Sequence, residues 1–237
     1  MRRLTFGLLI VTVTLVAFAA GSVTAGRAWD GCTARSGDLR FRAADGTRLV
    51  GHRFGRGRTA IVLAHQTNGN LCQWRSYSKR LAGLGYLAFP FDLRNYGQSQ
   101  KRRYRSGEGP GADVAAAVKV VRRLGARKVF LLGASLGGSA VLAAGADVRP
   151  QVDGVVSVSG AADLANAIES VPRLHAPALF LAGKYDVDFA AEAQRLYDAT
   201  GSSDKTLKIL LRGEHGTQLA GASLSARRLI ESFVATH

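Results

Sequence analysis

The chain has 237 residues, enough for one large domain with a continuous core. Its 32 Lys and Arg against 17 Asp and Glu give a formal charge of +15, an excess that attracts anionic polymers and anionic lipid as readily as it solubilises a surface. The basic residues are scattered, and no zinc-finger spacing or RNA-binding aromatic signature accompanies them, which excludes a specific reader of nucleic acid.

Met1-Arg-Arg is followed by Leu4 to Ala20 without a charge and then by Gly21-Ser-Val-Thr-Ala25. A positive end, an apolar core and small residues, in that order, make a secretory signal with cleavage after Ala25; an uncleaved membrane anchor is the rival, at the short edge of what spans a bilayer. The expected organisation is a signal peptide or anchor over residues 1–25, an extension over 26–37 and one domain over 38–237, in an exported or cell-envelope protein. Loss of residues 1–25 removes only Arg2 and Arg3, leaving +13. Cys32 and Cys72, the two cysteines, suit a disulfide in an exported chain, with two free thiols as the alternative. Neither has a second ligand at a recognisable spacing, so no metal is expected.

In chain order, Asp38 to Arg42 and Arg48 to Phe54 read as short strands around the turn dipeptide Asp45-Gly46. Ala60 to His65 is nearly all apolar, as in a strand buried on both faces of a parallel sheet. After the polar turn His65-Gln-Thr-Asn-Gly-Asn70, apolar residues at 71, 74, 77, 81 and 84 predict a helix from Leu71 to Leu84, stopped by Gly85. Tyr86 to Phe91 is the next strand. Gln100 to Gly109 is a loop holding Lys101, Arg102, Arg103 and Arg105, and Pro110 to Leu124 reads as a helix with proline in its first turn. Further strands are expected at Val155 to Ser159, Ala178 to Ala182 and Thr206 to Leu211, and helices at Ala190 to Ala199 and Ser223 to Thr236. Strands alternating with helices specify an α/β domain, a mostly parallel sheet of about eight strands covered on both faces.

The chemistry centres on Lys128-Val-Phe-Leu-Leu-Gly133-Ala-Ser135-Leu-Gly137-Gly138. An apolar strand runs into Gly-x-Ser-x-Gly-Gly and then into an Ala- and Leu-rich helix, the setting of a nucleophile elbow. A serine needs a base, and the base a group that orients it. Asp186 lies four residues past Ala182 and His215 four past Leu211, each beyond the carboxyl end of a strand, where loops share the sheet edge that carries Ser135. Asp163, after the strand ending at Ser159, is an alternative acid, and Asp188 a weaker one. His65 reads as a ring bracing its loop, and His52, His175 and His237 lack a strand-end setting.

In its Ser, Asp, His order the chain resembles the α/β-hydrolase superfamily over about residues 38–237. The resemblance implies Ser135 as nucleophile, His215 as general base and then acid, and Asp186 as its orienting partner. It implies an oxyanion hole from the amide of Leu136 and that of Gln66 or Thr67, with Gln66 standing where the family usually has glycine. Asp92-Leu-Arg-Asn-Tyr-Gly-Gln-Ser99 resembles the family's turn after the fourth strand, with Asn95 in place of glycine. Many relatives insert a lid after the strand corresponding to Val155 to Ser159; here Asp163 and Pro177 are too close for one of any size. The expectation is a capless hydrolase of a small-molecule or polymer-borne ester, needing no cofactor or metal; the alternatives are an acyltransferase or peptidase using the same triad, or a non-catalytic cell-envelope binding protein on the same fold. The arginine-rich loop after the fourth strand is a solvated surface, or a selector of anionic acyl groups, or a means of association with an anionic cell surface.

Overall fold

The computed structural model describes Cys32 and residues 37–106 and 108–237. The expected signal or anchor and most of the extension lie outside the described residues. Eight strands form one sheet: β1 (Asp38–Arg42), β2 (Arg48–His52), β3 (Thr59–Ala64), β4 (Leu87–Asp92), β5 (Lys128–Ala134), β6 (Gly154–Val158), β7 (Ala178–Gly183) and β8 (Lys205–Leu210). Their order is β1-β2-β4-β3-β5-β6-β7-β8. β1 and β2 form an antiparallel hairpin and β2 joins β4 antiparallel; from β4 onward every pair is parallel. Parallel strands need crossovers, supplied here by α1 (Arg75–Gly83), α2 (Pro110–Arg123), α3 (Leu136–Asp147), α4 (Ala167–Ser170) and α5 (Val187–Ala199), while α6 (Gly216–Ala222) and α7 (Leu224–Thr236) follow the last strand.

The strand pleat sends alternate residues to opposite faces, which divides the core into two layers. Ala60, Val62 and Ala64 of β3, with Phe89 and Phe91 of β4, pack against Val114, Val118, Val121 and Val141 of α2 and α3. Ile61, Leu63, Phe130 and Leu132 face the other way, onto Tyr77, Leu81, Leu219, Ile230 and Phe233 of α1, α6 and α7. Both faces being covered, the central strands are almost entirely apolar, which is why they are legible as near-uninterrupted runs.

Several elements differ from expectation. Leu71–Trp74 is a 3-10 turn and α1 begins only at Arg75, because the side chains of Asn70 and Asp92 take the amides of Cys72 and Leu71 at 2.9 and 2.8 Å and fix a tighter first turn. β2 stops at His52, and Phe54 makes a single bridge to Ala88. α5 starts at Val187, directly after Asp186. The segment between Asp163 and Pro177 holds the four residues of α4 and the 3-10 turn Val171–Arg173. A disulfide joins Cys32 to Cys72, with Cα atoms 5.6 Å apart.

Candidate active site

Ser135 joins β5 to α3 with φ +50° and ψ −117°, a region a side-chain-bearing residue enters only when its surroundings hold it there. Its N–H donates to the Val158 carbonyl at 2.9 Å, and its carbonyl accepts from the Ser139 N–H at 3.0 Å. The two glycines of the motif are steric requirements: a Cβ at Gly133 would collide with the Gly137 carbonyl, and one at Gly137 with that of Ala64. The serine is thereby held at the carboxyl end of the central strands, 5% exposed.

Asp186 and His215 are brought together. The parallel pairing of β7 and β8 continues past the strands, with Lys184 N–H donating to Leu210 O at 2.7 Å and Tyr185 N–H to Arg212 O at 2.9 Å. Those bonds align the two loops, and His215 Nδ1 lies 2.8 Å from Asp186 Oδ2. The carboxylate can only accept, so Nδ1 carries the proton and Nε2 is left as the basic nitrogen. Phe189 packs its ring 4.2 Å from the imidazole, tilted by 59°. The rival acids are elsewhere: Asp163 is exposed and pairs with Arg195 at 3.2 Å, and Asp188 lies in the first turn of α5.

Leu136 opens α3, where a first-turn amide has no partner inside its helix. Gln66 and Thr67 follow β3, the neighbour of β5. Among the described residues no protein acceptor takes the amide of Gln66 or Thr67, so the amides assigned to an oxyanion hole are at the right edge and unengaged. His65 is fully buried between them and β4. Its Nε2 accepts from the Leu93 N–H at 3.2 Å, so its Nδ1 is the donor to the Gln66 carbonyl at 2.8 Å. Burial pulls its pKa down to about 4, leaving a neutral brace rather than a base. His52 pairs with Asp38 at 2.7 Å, while the other two histidines sit near Gly201 and Asp204.

Three features escape a sequence reading. The Gln66 side chain accepts from the N–H and the hydroxyl of Thr217 at 2.9 and 3.1 Å. Ser159, buried at φ +49°, accepts from the Gly216 N–H at 3.1 Å. The third is a buried ion cluster behind the loop after β4: Arg94 is fully enclosed, its guanidinium bonded to both oxygens of Asp113 and, at 2.8 Å, to Asp45, with its carbon 4.1 Å from the centre of the Tyr104 ring. The same loop ties the basic segment down, since Asn95 accepts from the Arg102 N–H at 2.9 Å and Arg102 reaches the Asp45 carbonyl. The only signal for the first was a glutamine where glycine is usual. Among the described residues no three His, Cys, Asp or Glu side chains converge as metal ligands.

Comparison with known proteins agrees with this architecture. The sequence profile of the alpha/beta hydrolase fold family matches residues 59–203, a stretch that includes Ser135 and Asp186 and ends before His215; the chain belongs to that family. No curated protein matches it significantly. Among solved structures it is similar to an esterase of Pyrococcus furiosus, with 16% identity and a TM-score of 0.71 over 84% of this chain and 91% of that one. It is similar to the enol-lactonase of Burkholderia xenovorans, with 15% identity and a TM-score of 0.68 over 83% and 100% of the two chains. A third similar structure is a monoacylglycerol lipase of Paleococcus ferrophilus, at 19% identity and a TM-score of 0.65 over 80% and 99%. At these identities the likeness is one of fold.

Proposed function

We propose that the protein is a serine hydrolase that cleaves a carboxylic ester through an acyl-enzyme on Ser135. The observation that carries the reading is the 2.8 Å bond from His215 Nδ1 to Asp186, which leaves Nε2 basic at the sheet edge occupied by a strained serine. Ser135 Oγ attacks the ester carbonyl carbon as His215 Nε2 removes its proton. The carbonyl electron pair moves to oxygen, where the amides of Leu136 and of Gln66 or Thr67 receive the charge. The pair returns, the bond to the alkoxy oxygen breaks, and the imidazolium protonates the leaving alcohol. Water then repeats the sequence on the acyl-enzyme, giving up its proton to His215, and the carboxylic acid departs with Ser135 restored. Asp186 holds the tautomer and stabilises the imidazolium.

The esterase, lipase and lactonase structures that share the fold all carry names of ester-bond hydrolases, which supports the reaction class. Tyr185 and Val187, on either side of Asp186, and Leu211, ahead of His215, are among the most exposed large apolar residues of the described chain. An open rim of that kind suits an ester with an apolar portion, either small or borne on a larger body. Export is supported by the N-terminal pattern of the sequence and by the Cys32–Cys72 disulfide, which persists in oxidising compartments. The charge of +15 supports association with an anionic envelope surface.

The test is a fluorophosphonate probe applied to the purified protein and to Ser135→Ala, with p-nitrophenyl acetate and butyrate hydrolysis followed in the same samples. The expected result is labelling and turnover in the first and neither in the second. A folded wild-type protein that does not label or turn over overturns the reading, and strong binding to an anionic polymer in its place would assign a non-catalytic role.

A further inference from the structure

The helix that carries the base has no cap of its own. The first amides of a helix lack intrahelical partners, and the residue at the capping position of α6 is His215, whose side chain makes no bond to the helix because its ring is turned to Asp186. Side chains from two other strand ends take those amides. Ser159, after β6, accepts from Gly216, and Gln66, after β3, accepts from Thr217 twice through Oε1. The orientation of the Gln66 carboxamide follows from chemistry: a backbone N–H can only donate, so the atom facing it is the oxygen. The side chain lies against Gly216, at φ +55°, where an added Cβ would run into the Gln66 oxygen and touch the Ala134 side chain at 3.4 Å. Gln66 thus reaches from the loop whose amides are assigned to the oxyanion hole, beside the residue before Ser135, to the residue two beyond His215.

We propose that Gln66, seconded by Ser159, is a positioning residue that clamps the His215 backbone and makes the oxyanion loop and the base loop one rigid unit. The proposal rests on the Ser135, Asp186, His215 reading. The clamp is needed because the approach to His215 is open: Leu211, Arg212 and Gly213 are exposed, and among the described residues the imidazole makes no side-chain hydrogen bond beyond that to Asp186 and no ring contact beyond that with Phe189. A glycine at position 66, usual in the family, has no side chain with which to make this link.

The experiment compares wild type with Gln66→Met, which keeps length and loses the acceptor, Gln66→Glu, which keeps an acceptor, and Gln66→Gly, the residue usual at that place, in case the methionine variant does not fold. Three quantities are read: kcat and KM on p-nitrophenyl acetate, the rate of fluorophosphonate labelling, and the low-field proton resonance of His215 Nδ1–H. Displacing a catalytic group by a fraction of an ångström to an ångström costs roughly 10- to 100-fold, so kcat and labelling rate are expected to fall by that factor in Gln66→Met with KM within about twofold. The Nδ1–H resonance should broaden through exchange with water in that variant and stay sharp in Gln66→Glu. An unchanged labelling rate with a sharp resonance in Gln66→Met overturns the clamp. So does a rise in KM alone, which would make Gln66 a substrate contact, and a fall in Tm with the resonance intact, which would make its role purely structural. A wild type that does not label refutes the hydrolase reading instead, and the resonance still decides the clamp.

Discussion

Asp92 ends β4 fully buried, with Oδ1 accepting from the Leu71 N–H and Oδ2 from the Gln98 N–H, both at 2.8 Å. Burial pushes its carboxyl from 3.8 up to about 7, overcoming the two backbone donors that pull it down. The folded protein therefore keeps this proton to higher pH than the unfolded chain does. Between the two values the unfolded chain has released the proton and the folded one has not, so the contribution of Asp92 makes stability fall as pH rises. The full gap corresponds to about 4 kcal/mol, and the portion lying between about pH 5 and pH 8 to roughly 2.5 kcal/mol. Asp92→Asn removes the titration. Its own hydrogen-bond defects are the same at both pH values, and they cancel when the difference between wild type and variant is compared across pH. Urea denaturation of both proteins at the two pH values should show that difference moving by roughly 2.5 kcal/mol in favour of the variant as pH rises. Curves that stay parallel would refute the reasoning, since the buried carboxylate would then be fully compensated by its two amides.

Arg94→Met should cost about 3–5 kcal/mol, because it strips Asp45 and most of Asp113 of their counter-charge without returning either to water; a shift in the urea midpoint equivalent to less than about 1 kcal/mol would contradict it. Asp186→Asn should lower kcat on p-nitrophenyl acetate by roughly 10⁴-fold with little change in Tm, since an amide that donates to the imidazole favours the wrong tautomer. Replacing Cys32 and Cys72 together by serine should destabilise the protein by about 4 kcal/mol, the loop-closure entropy of a 40-residue separation, and calorimetry of the variant against the oxidised protein measures it.

The central strands were legible because burial on both faces leaves little room for polar residues: β3 and β7 lie within a residue of the apolar runs that predict them. Ser135 was legible because the elbow imposes glycine at 133 and 137 by direct collision. Asp186 and His215 could be paired from their places beyond neighbouring strand ends, a matter of topology rather than of local pattern. α6 was not legible. It holds two glycines in seven residues, and its caps come from Gln66 and Ser159, more than 50 residues away in the chain. Arg94 escaped for the same reason: a charged residue in a polar turn reads as solvated, and only the partners brought by β2's hairpin and by α2 turn it inward.

The bridge to Cys32 has a consequence for how the molecule can be mounted. Cys72 lies in the turn that follows the β3 loop, next to the edge of the sheet where Ser135 emerges, so Cys32 is fastened beside the catalytic rim rather than at the opposite end of the strands. An attachment made through the N-terminal segment would therefore meet the domain at the edge that carries Ser135, and not at the far end of the strands.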